Sequence, residues 1–155
     1  MTQLDGFDRK ILAELQRNGR LSSNELSDRI GLSPSQCSRR RARLESDGFI
    51  CSYSANVNRM ELGLSIIVMI SVTLATHNRD NARQFKSLIF DLPEVLEAYA
   101  LTGEMDYSLK VVTTDLEDLS RFVNDVLLPH ESVQHVKTAI VLETLKESRE
   151  LPLKF

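Results

Sequence analysis

Tryptophan is absent from this chain of 155 residues, so no indole anchors a core or an interface. Cysteine is nearly so. Cys37 and Cys51 have no CxxC spacing and no histidine beside them, which argues against a zinc site or a redox pair. So low a number fits a reducing cytosol. No apolar run is long enough to span a bilayer: the longest, LGLSIIVMISVTLA, is interrupted by Ser and Thr. The opening MTQLDGFDRKILAEL carries acids early and has no apolar stretch of signal-peptide length. A cytoplasmic chain without a membrane role is therefore expected. There is no internal repeat and no low-complexity tract. Enzyme signatures are missing too: no nucleophile–base pair, no Gly-rich phosphate loop and no carboxylate pair with a plausible partner. The expectation is no enzyme, no cofactor and no catalytic residues. His130 and His135 lie five apart, whereas a helical metal pair needs three or four, so HESVQH reads as a surface turn and no metal is expected.

What is present divides the chain. The apolar fraction of 42% suits a globular protein, and the net charge is −3. Residues 1–60 carry a net +3 and residues 61–155 a net −6. That asymmetry suggests a basic module that meets a polyanion and an acidic module with another task.

The first third reads as three short helices. Phe7, Ile11, Leu12 and Leu15 share one face of the first, which Asn18–Gly19 ends. Ser22 and Glu25 form a capping box, so a second helix starts near Ser23, carries Leu26 and Ile30, and breaks at Gly31. Ser33 caps a third, with Pro34 at its first position and Gln36 three residues after the cap. It runs to about Asp47. The pattern is a helix-turn-helix. FICSYSANVN, rich in β-formers, reads as a linker strand and connector.

The remainder alternates. Strands are expected at 64–75, 95–102, 107–113 and 133–142. Helices are expected over DNARQFKSLIFDL (Ala82, Phe85, Leu88, Ile89) and LEDLSRFVNDVLL (Leu116, Leu119, Phe122, Val123, Val126). The order βαββαβ is the ferredoxin-like split βαβ. The fold class is thus α+β: a winged-helix-like helix-turn-helix domain at 1–50, a linker at 51–63 and a ferredoxin-like domain at 64–155. LSIIVMISVTLA is nearly continuous in apolar residues. A strand covered on one face alternates, whereas one buried on both reads as a run. Two helices cover one face of a four-stranded sheet, so a second subunit is the simplest cover for the other.

SPSQCSRRRARLE packs four arginines into five positions. At about 100° per residue, Ser35, Arg39 and Arg43 form one row and Gln36 and Arg40 the next, opposite Cys37 and Leu44. Ser38 joins the exposed polar set. Arg41 projects near the Cys37 side and must reach outward along its stem. Guanidinium reads guanine bidentately, a glutamine amide suits adenine, and hydroxyls suit bases or phosphates. Ser35, Gln36, Ser38, Arg39, Arg40 and Arg43 are accordingly the candidate contacts to double-stranded DNA. The bland alternative, a solvated face, fits less well a helix that follows a capped helix and a Gly turn in the only positive module. RNA binding on the sheet is disfavoured, because DYSLKVVTT has a single aromatic for base stacking.

Read together, LDGFDRKILAELQRNGR, LSSNELSDRIGLSPSQCSRR, RLESDGFICSY, YALTGEMDYSLKV and VKTAIVLETLKESRELPL resemble, in order and spacing, the Lrp/AsnC (feast/famine) family of transcriptional regulators. The resemblance implies a sequence-specific DNA-binding regulator and a homo-oligomer: a dimer through back-to-back sheets, commonly four dimers in a ring. It also implies a small amino-acid effector held between the second modules. An effector-insensitive architectural DNA-binding protein is the other reading. An amino acid needs donors for its carboxylate and an anion for its ammonium. In TGEMD, backbone N–H groups around Gly103 suit the first and Asp106 the second. Thr102 and Thr138 offer hydroxyls and Tyr99 a wall. Each also has a plain reading: Gly103 as a positive-φ turn residue, Asp106 as a turn residue, Thr138 as a strand former.

Overall fold

Three reciprocal caps set the helices of the first part. In a computed structural model that describes residues 3–148 and 150–153, Asp5 caps α1 (Gly6–Arg17), Ser22 caps α2 (Ser23–Ile30) and Ser33 caps α3 (Pro34–Ser46). In each, the capping side chain accepts from the third residue's N–H, and that residue's side chain accepts from the cap N–H, satisfying donors that a helix start leaves open. Gly31, at φ +78°, takes the left-handed geometry that ends α2 and turns the chain into α3. Ile11, Leu12, Leu15, Leu21, Leu26, Ile30, Cys37 and Leu44 form the core between these helices.

Two expectations change here. Phe7 is not on the buried face of α1: it is exposed, and Asp8 takes the inward position. The reason lies in α3, whose arginines supply the charge that a buried carboxylate needs. The strand expected over FICSYSANVN is absent, since 51–58 pairs with no strand among the described residues. A β-ladder belongs to two strands, and β-forming side chains alone do not supply the second.

The second part follows the order read from the pattern. Strand β1 (Ile66–Leu74) is followed by α4 (Arg79–Phe90), β2 (Val95–Ala100), β3 (Tyr107–Thr113), α5 (Leu116–Arg121) with a π-helical continuation (Phe122–Leu127), and β4 (Val133–Ile140). The sheet is antiparallel in the order β2-β3-β1-β4. Val68, Ile70, Val72 and Leu74 of β1 join Tyr107, Leu109 and Val111 of β3 beneath Phe85, Leu119, Phe122 and Leu127 of the helices. The π segment explains one misplaced contact. Its wider turn, closed by Leu128 N–H to Val123 O at 2.9 Å, brings Leu127 into the core instead of Val126, while Leu116 is exposed.

The other face of β1 carries Ile67, Met69, Ser71 and Thr73. Ile67 is 7% exposed and Met69 36%, and neither joins the core beneath the described helices.

The chain separates into two compact units, Met1–Asn56 with Lys146–Phe155, and Val57–Leu145. The tail, which the sequence places in the second domain, clusters with the first. Gln16 accepts from Leu151 N–H at 2.6 Å and donates to Leu151 O at 3.3 Å, and Leu153 packs on the helical core. The expected domain limits at residues 1 and 155, and Arg149 within the tail, lie outside the described residues.

Candidate functional site

The outer face of α3 is polar because its inner face is spent on Cys37 and Leu44, both fully buried. Burial pushes the Cys37 thiol above its usual range, so it acts as a small apolar core residue. The six candidate contacts are not equivalent. Ser35, Ser38 and Arg39 are exposed, and no ion pair holds Arg39 among the described residues. Gln36 is exposed but its amide oxygen accepts from Ser33 N–H and Oγ, both at 3.0 Å, so only its NH2 group is left to point outward. Arg40 and Arg43 are engaged within their own chain. Arg40 Nη1 donates to Asp5 Oδ2 and Asp8 Oδ1, each at 2.7 Å, and its side chain is 24% exposed. Arg43, at 41%, pairs with the other oxygen of Asp8.

Asp5 and Asp8 went unread as partners of α3. The signal was present: Asp8, Ile11, Leu12 and Leu15 share one helical face, so an acid stood in an apolar row. A carboxylate in that position needs a cation, and α3 supplies two.

Arg41 does not reach outward as its position on the wheel suggested: its side chain is 26% exposed and is held by groups of its own unit. It donates to Glu45 at 3.1 Å, to the Tyr53 hydroxyl at 2.9 Å and to Leu21 O at 2.9 Å, with its guanidinium 4.7 Å from the Tyr53 ring centroid. Tyr53 donates to Glu45 at 2.7 Å. That bond, followed by Arg41, holds the Glu45 carboxyl below its usual range.

In the second unit, the TGEMD turn joins β2 to β3. Gly103 has φ +127°, a backbone region that side chains disfavour, and it is exposed with open space around it. Thr102 is exposed beside it. Asp106 is held firmly: its N–H donates to Val72 O at 3.0 Å, its carbonyl accepts from Leu101 N–H at 2.8 Å, and Oδ2 accepts from Leu74 N–H at 2.8 Å. Its other oxygen, Oδ1, lies 3.3 Å from His77 Nδ1. Asp106 therefore serves the turn and also presents a carboxylate edge to the cleft beside it.

Tyr99 and Thr138 are not brought to that turn together. Tyr99 is on β2 opposite Ser108, on the face without helices, with its hydroxyl donating to Glu97 at 2.6 Å. Thr138 is on β4 opposite Ile70, at the other edge. Two strands intervene, a separation of about 14 Å. Within one chain they cannot line one small ligand.

Leu74, His77, Asn78, Arg79, Ala82, Ala100, Leu101, Asp106 and Tyr107 enclose an open cleft of about 330 Å³ at the start of α4. His77 and Arg79 escaped the sequence reading because ATHNRD has no motif; only the fold sets it against Asp106.

Comparison with known proteins gives two family matches. The model for the Lrp/AsnC ligand binding domain matches residues 67–151, and that for a winged helix-turn-helix DNA-binding domain matches residues 4–50. The chain is 39% identical to the leucine-responsive regulatory protein of Klebsiella pneumoniae and 38% to that of Escherichia coli K12, each over 97% of this chain and 92% of the relative. Among solved structures, a transcriptional regulator of Neisseria meningitidis in complex with L-Met superposes with a TM-score of 0.94 at 41% identity, over 97% of both chains. E. coli AsnC superposes at 0.88 with 26% identity, over 97% of this chain and all of that one.

Proposed function

The chain belongs to the Lrp/AsnC family of transcriptional regulators, and from that premise we propose how its residues divide the work of reading DNA and sensing an amino acid. It is a DNA-binding regulator that responds to amino-acid effectors, and the family is one of regulators rather than enzymes. No helix among the described residues is long and apolar enough to cross a membrane. A cytoplasmic location, beside the DNA, goes with that role.

One observation carries the proposal for DNA: the exposed row of α3 follows a capped helix and a left-handed Gly31 turn. Ser35, Ser38 and Arg39 enter the major groove, with Arg39 as the unencumbered guanidinium. The Gln36 amide, anchored by the cap, offers its NH2 group to a base or phosphate. Arg40 and Arg43 keep α3 in place through Asp5 and Asp8, and the exposed part of Arg43 meets the DNA backbone. An acidic protein can bind DNA this way because phosphate contact is local and screened over about 10 Å.

In the second unit, Asp106 pairs with the effector ammonium, and N–H groups near Gly103 approach its carboxylate with Thr102 beside them. Tyr99 and Thr138 join from other subunits. The helix-free sheet face, with Ile67 and Met69 at its centre, is covered by a second copy, giving a dimer that assembles further into four dimers. Effector binding favours one arrangement of the dimers and so changes which half-sites the paired α3 helices reach. Such coupling is typically worth about 1–3 kcal/mol.

The test is binding of the full chain to its own operator. Arg39→Ala should weaken it by about 1–3 kcal/mol, the worth of a guanidinium–guanine contact. Titration with L-Met and L-Leu should shift both DNA affinity and sedimentation. Unchanged affinity in Arg39→Ala would remove α3 from the groove, and indifference to every amino acid would remove the proposed effector site.

A further inference from the structure

We infer that Tyr53 is a positioning residue for DNA specificity: seated on Gly19 and tied to Arg41 and Glu45 of α3, it shortens the linker and so restricts the half-site spacings that paired α3 helices can read. This rests on the reading of two α3 helices on one operator, and adds the residue that limits how far apart they reach.

Side chains decide where the linker is held. Ile50 N–H donates to Leu44 O at 3.1 Å, and the next backbone–backbone hydrogen bond along the chain is Leu62 N–H to Arg59 O at 3.2 Å. Between them, the backbone of 51–58 makes none among the described residues. The Tyr53 hydroxyl sits between two groups of α3, donating to Glu45 Oε1 at 2.7 Å and accepting from Arg41 Nε at 2.9 Å. The Arg41 guanidinium also lies over the ring and donates to Leu21 O, so the same cation grips the turn that precedes α2. On the other side, a methyl at Gly19 would meet Tyr53 Cδ1 at 3.0 Å, and would push the ring away. Gly19 is not in the left-handed region, so its backbone does not call for glycine. Its small size serves to admit the ring.

Reach follows from the holding point. From Tyr53 the chain crosses to the second unit, which begins at Val57, over 54–56. At full extension that stretch spans about 10 Å. Held only at Ile50, the chain would cross over 51–56 and span about 20 Å. The tail returns between Val141, bonded to Ile67, and Leu151, bonded to Gln16. Its 142–150 stretch spans about 30 Å when extended, so the linker is the shorter tether. When two binding units are joined, the second engages only where its tether reaches. A short tether therefore makes affinity depend on spacing, and a long one relaxes that dependence.

The test uses a half-site recovered by the full chain from a random DNA duplex pool. Two copies are placed in duplexes whose spacing varies in single base-pair steps across about one helical turn of 10 bp. Fluorescence anisotropy gives the Kd at each spacing and for a duplex with one half-site. The unmodified chain should prefer its best spacing over its worst at least about tenfold, the factor that one hydrogen bond to a charged group supplies. Tyr53→Ala and Gly19→Ala should each flatten that preference to about threefold or less, with affinity for the single half-site unchanged. Tyr53→Phe, which keeps the ring, should flatten it part-way. In Tyr53→Ala, adding Gly19→Ala should change nothing further. A spacing profile identical to the unmodified chain's in both Tyr53→Ala and Tyr53→Phe would overturn the inference. So would an equal loss at every spacing and on the single half-site, which would make Tyr53 a support of α3 alone. If the unmodified chain shows no spacing preference, the reading of paired α3 helices falls with it.

Discussion

Replacing Asp8 with alanine should unfold the helical unit sooner than any exposed-charge substitution. Asp8 is 1% exposed, and its two oxygens meet the guanidiniums of Arg40 and Arg43. One of them also accepts from Asp5 N–H at 3.1 Å, as part of the α1 cap. Breaking a wholly buried ion pair costs about 3–5 kcal/mol, because the stranded charge has lost its water. Here the stranded groups are partly wet: Arg40 is 24% and Arg43 41% exposed, and Arg40 keeps Asp5. Solvent screening reduces the penalty accordingly. A loss of about 2 kcal/mol is expected. Urea denaturation followed by circular dichroism measures it as a lower midpoint at unchanged slope. Arg43→Gln should cost less, since Asp8 retains Arg40. Pairing the two changes should expose a coupling of about 0.5 kcal/mol or more. A loss in Asp8→Ala below about 0.5 kcal/mol would refute the argument that a buried carboxylate joins α1 to α3, and would leave Arg40 available to the DNA beside Arg43.

Two further outcomes follow from the same geometry. The Asp5 carboxyl is held below its usual range, chiefly by Asp8 N–H and then against burial by Arg40; Glu45 is held low by Tyr53 and Arg41. A carboxyl lowered in the folded state adds stability above its unfolded pKa of about 4 and loses it as pH falls through the folded value. Thermal midpoints should therefore be flat near neutrality and fall below about pH 4, with a shallower fall in Glu45→Gln; a midpoint that rises on acidification would contradict this. On the helix-free sheet face, Met69→Glu should shift the proposed assembly towards monomer in sedimentation, because it would bury a charge at the proposed subunit contact; an unaltered assembly would place the dimer contact elsewhere.

Much of this was legible along the chain because it depends on neighbours in sequence. Ser22–Glu25 and Ser33–Gln36 close their boxes within four residues, and Gly31 turns the backbone by its own freedom. Apolar periods of 3.6 and 2 likewise announce helices and strands wherever they form, which is why the βαββαβ order could be read before any coordinate. The polar face of α3 was visible for the same reason. Its rotation follows from 100° per residue, whatever packs behind it.

Other features depend on residues far apart in sequence, and for these only the folded chain decides. Asp8 takes the inward place of Phe7 because Arg40 and Arg43, more than thirty residues away, compensate its charge. That compensation divides three arginines that look alike in sequence: Arg39 has no ion pair among the described residues, whereas Arg40 and Arg43 pair with Asp8; Arg41, already apart on the wheel, engages Tyr53. Tyr99 and Thr138 looked like companions to Asp106 until strand order put them at opposite sheet edges. His77 stands in no sequence motif, and only the fold sets its ring against Asp106. Local rules specify which surface each helix and strand presents. Which charge is satisfied, and which is left for a ligand, is settled by long-range neighbours, because electrostatic and burial energies depend on distance in space rather than on position along the chain.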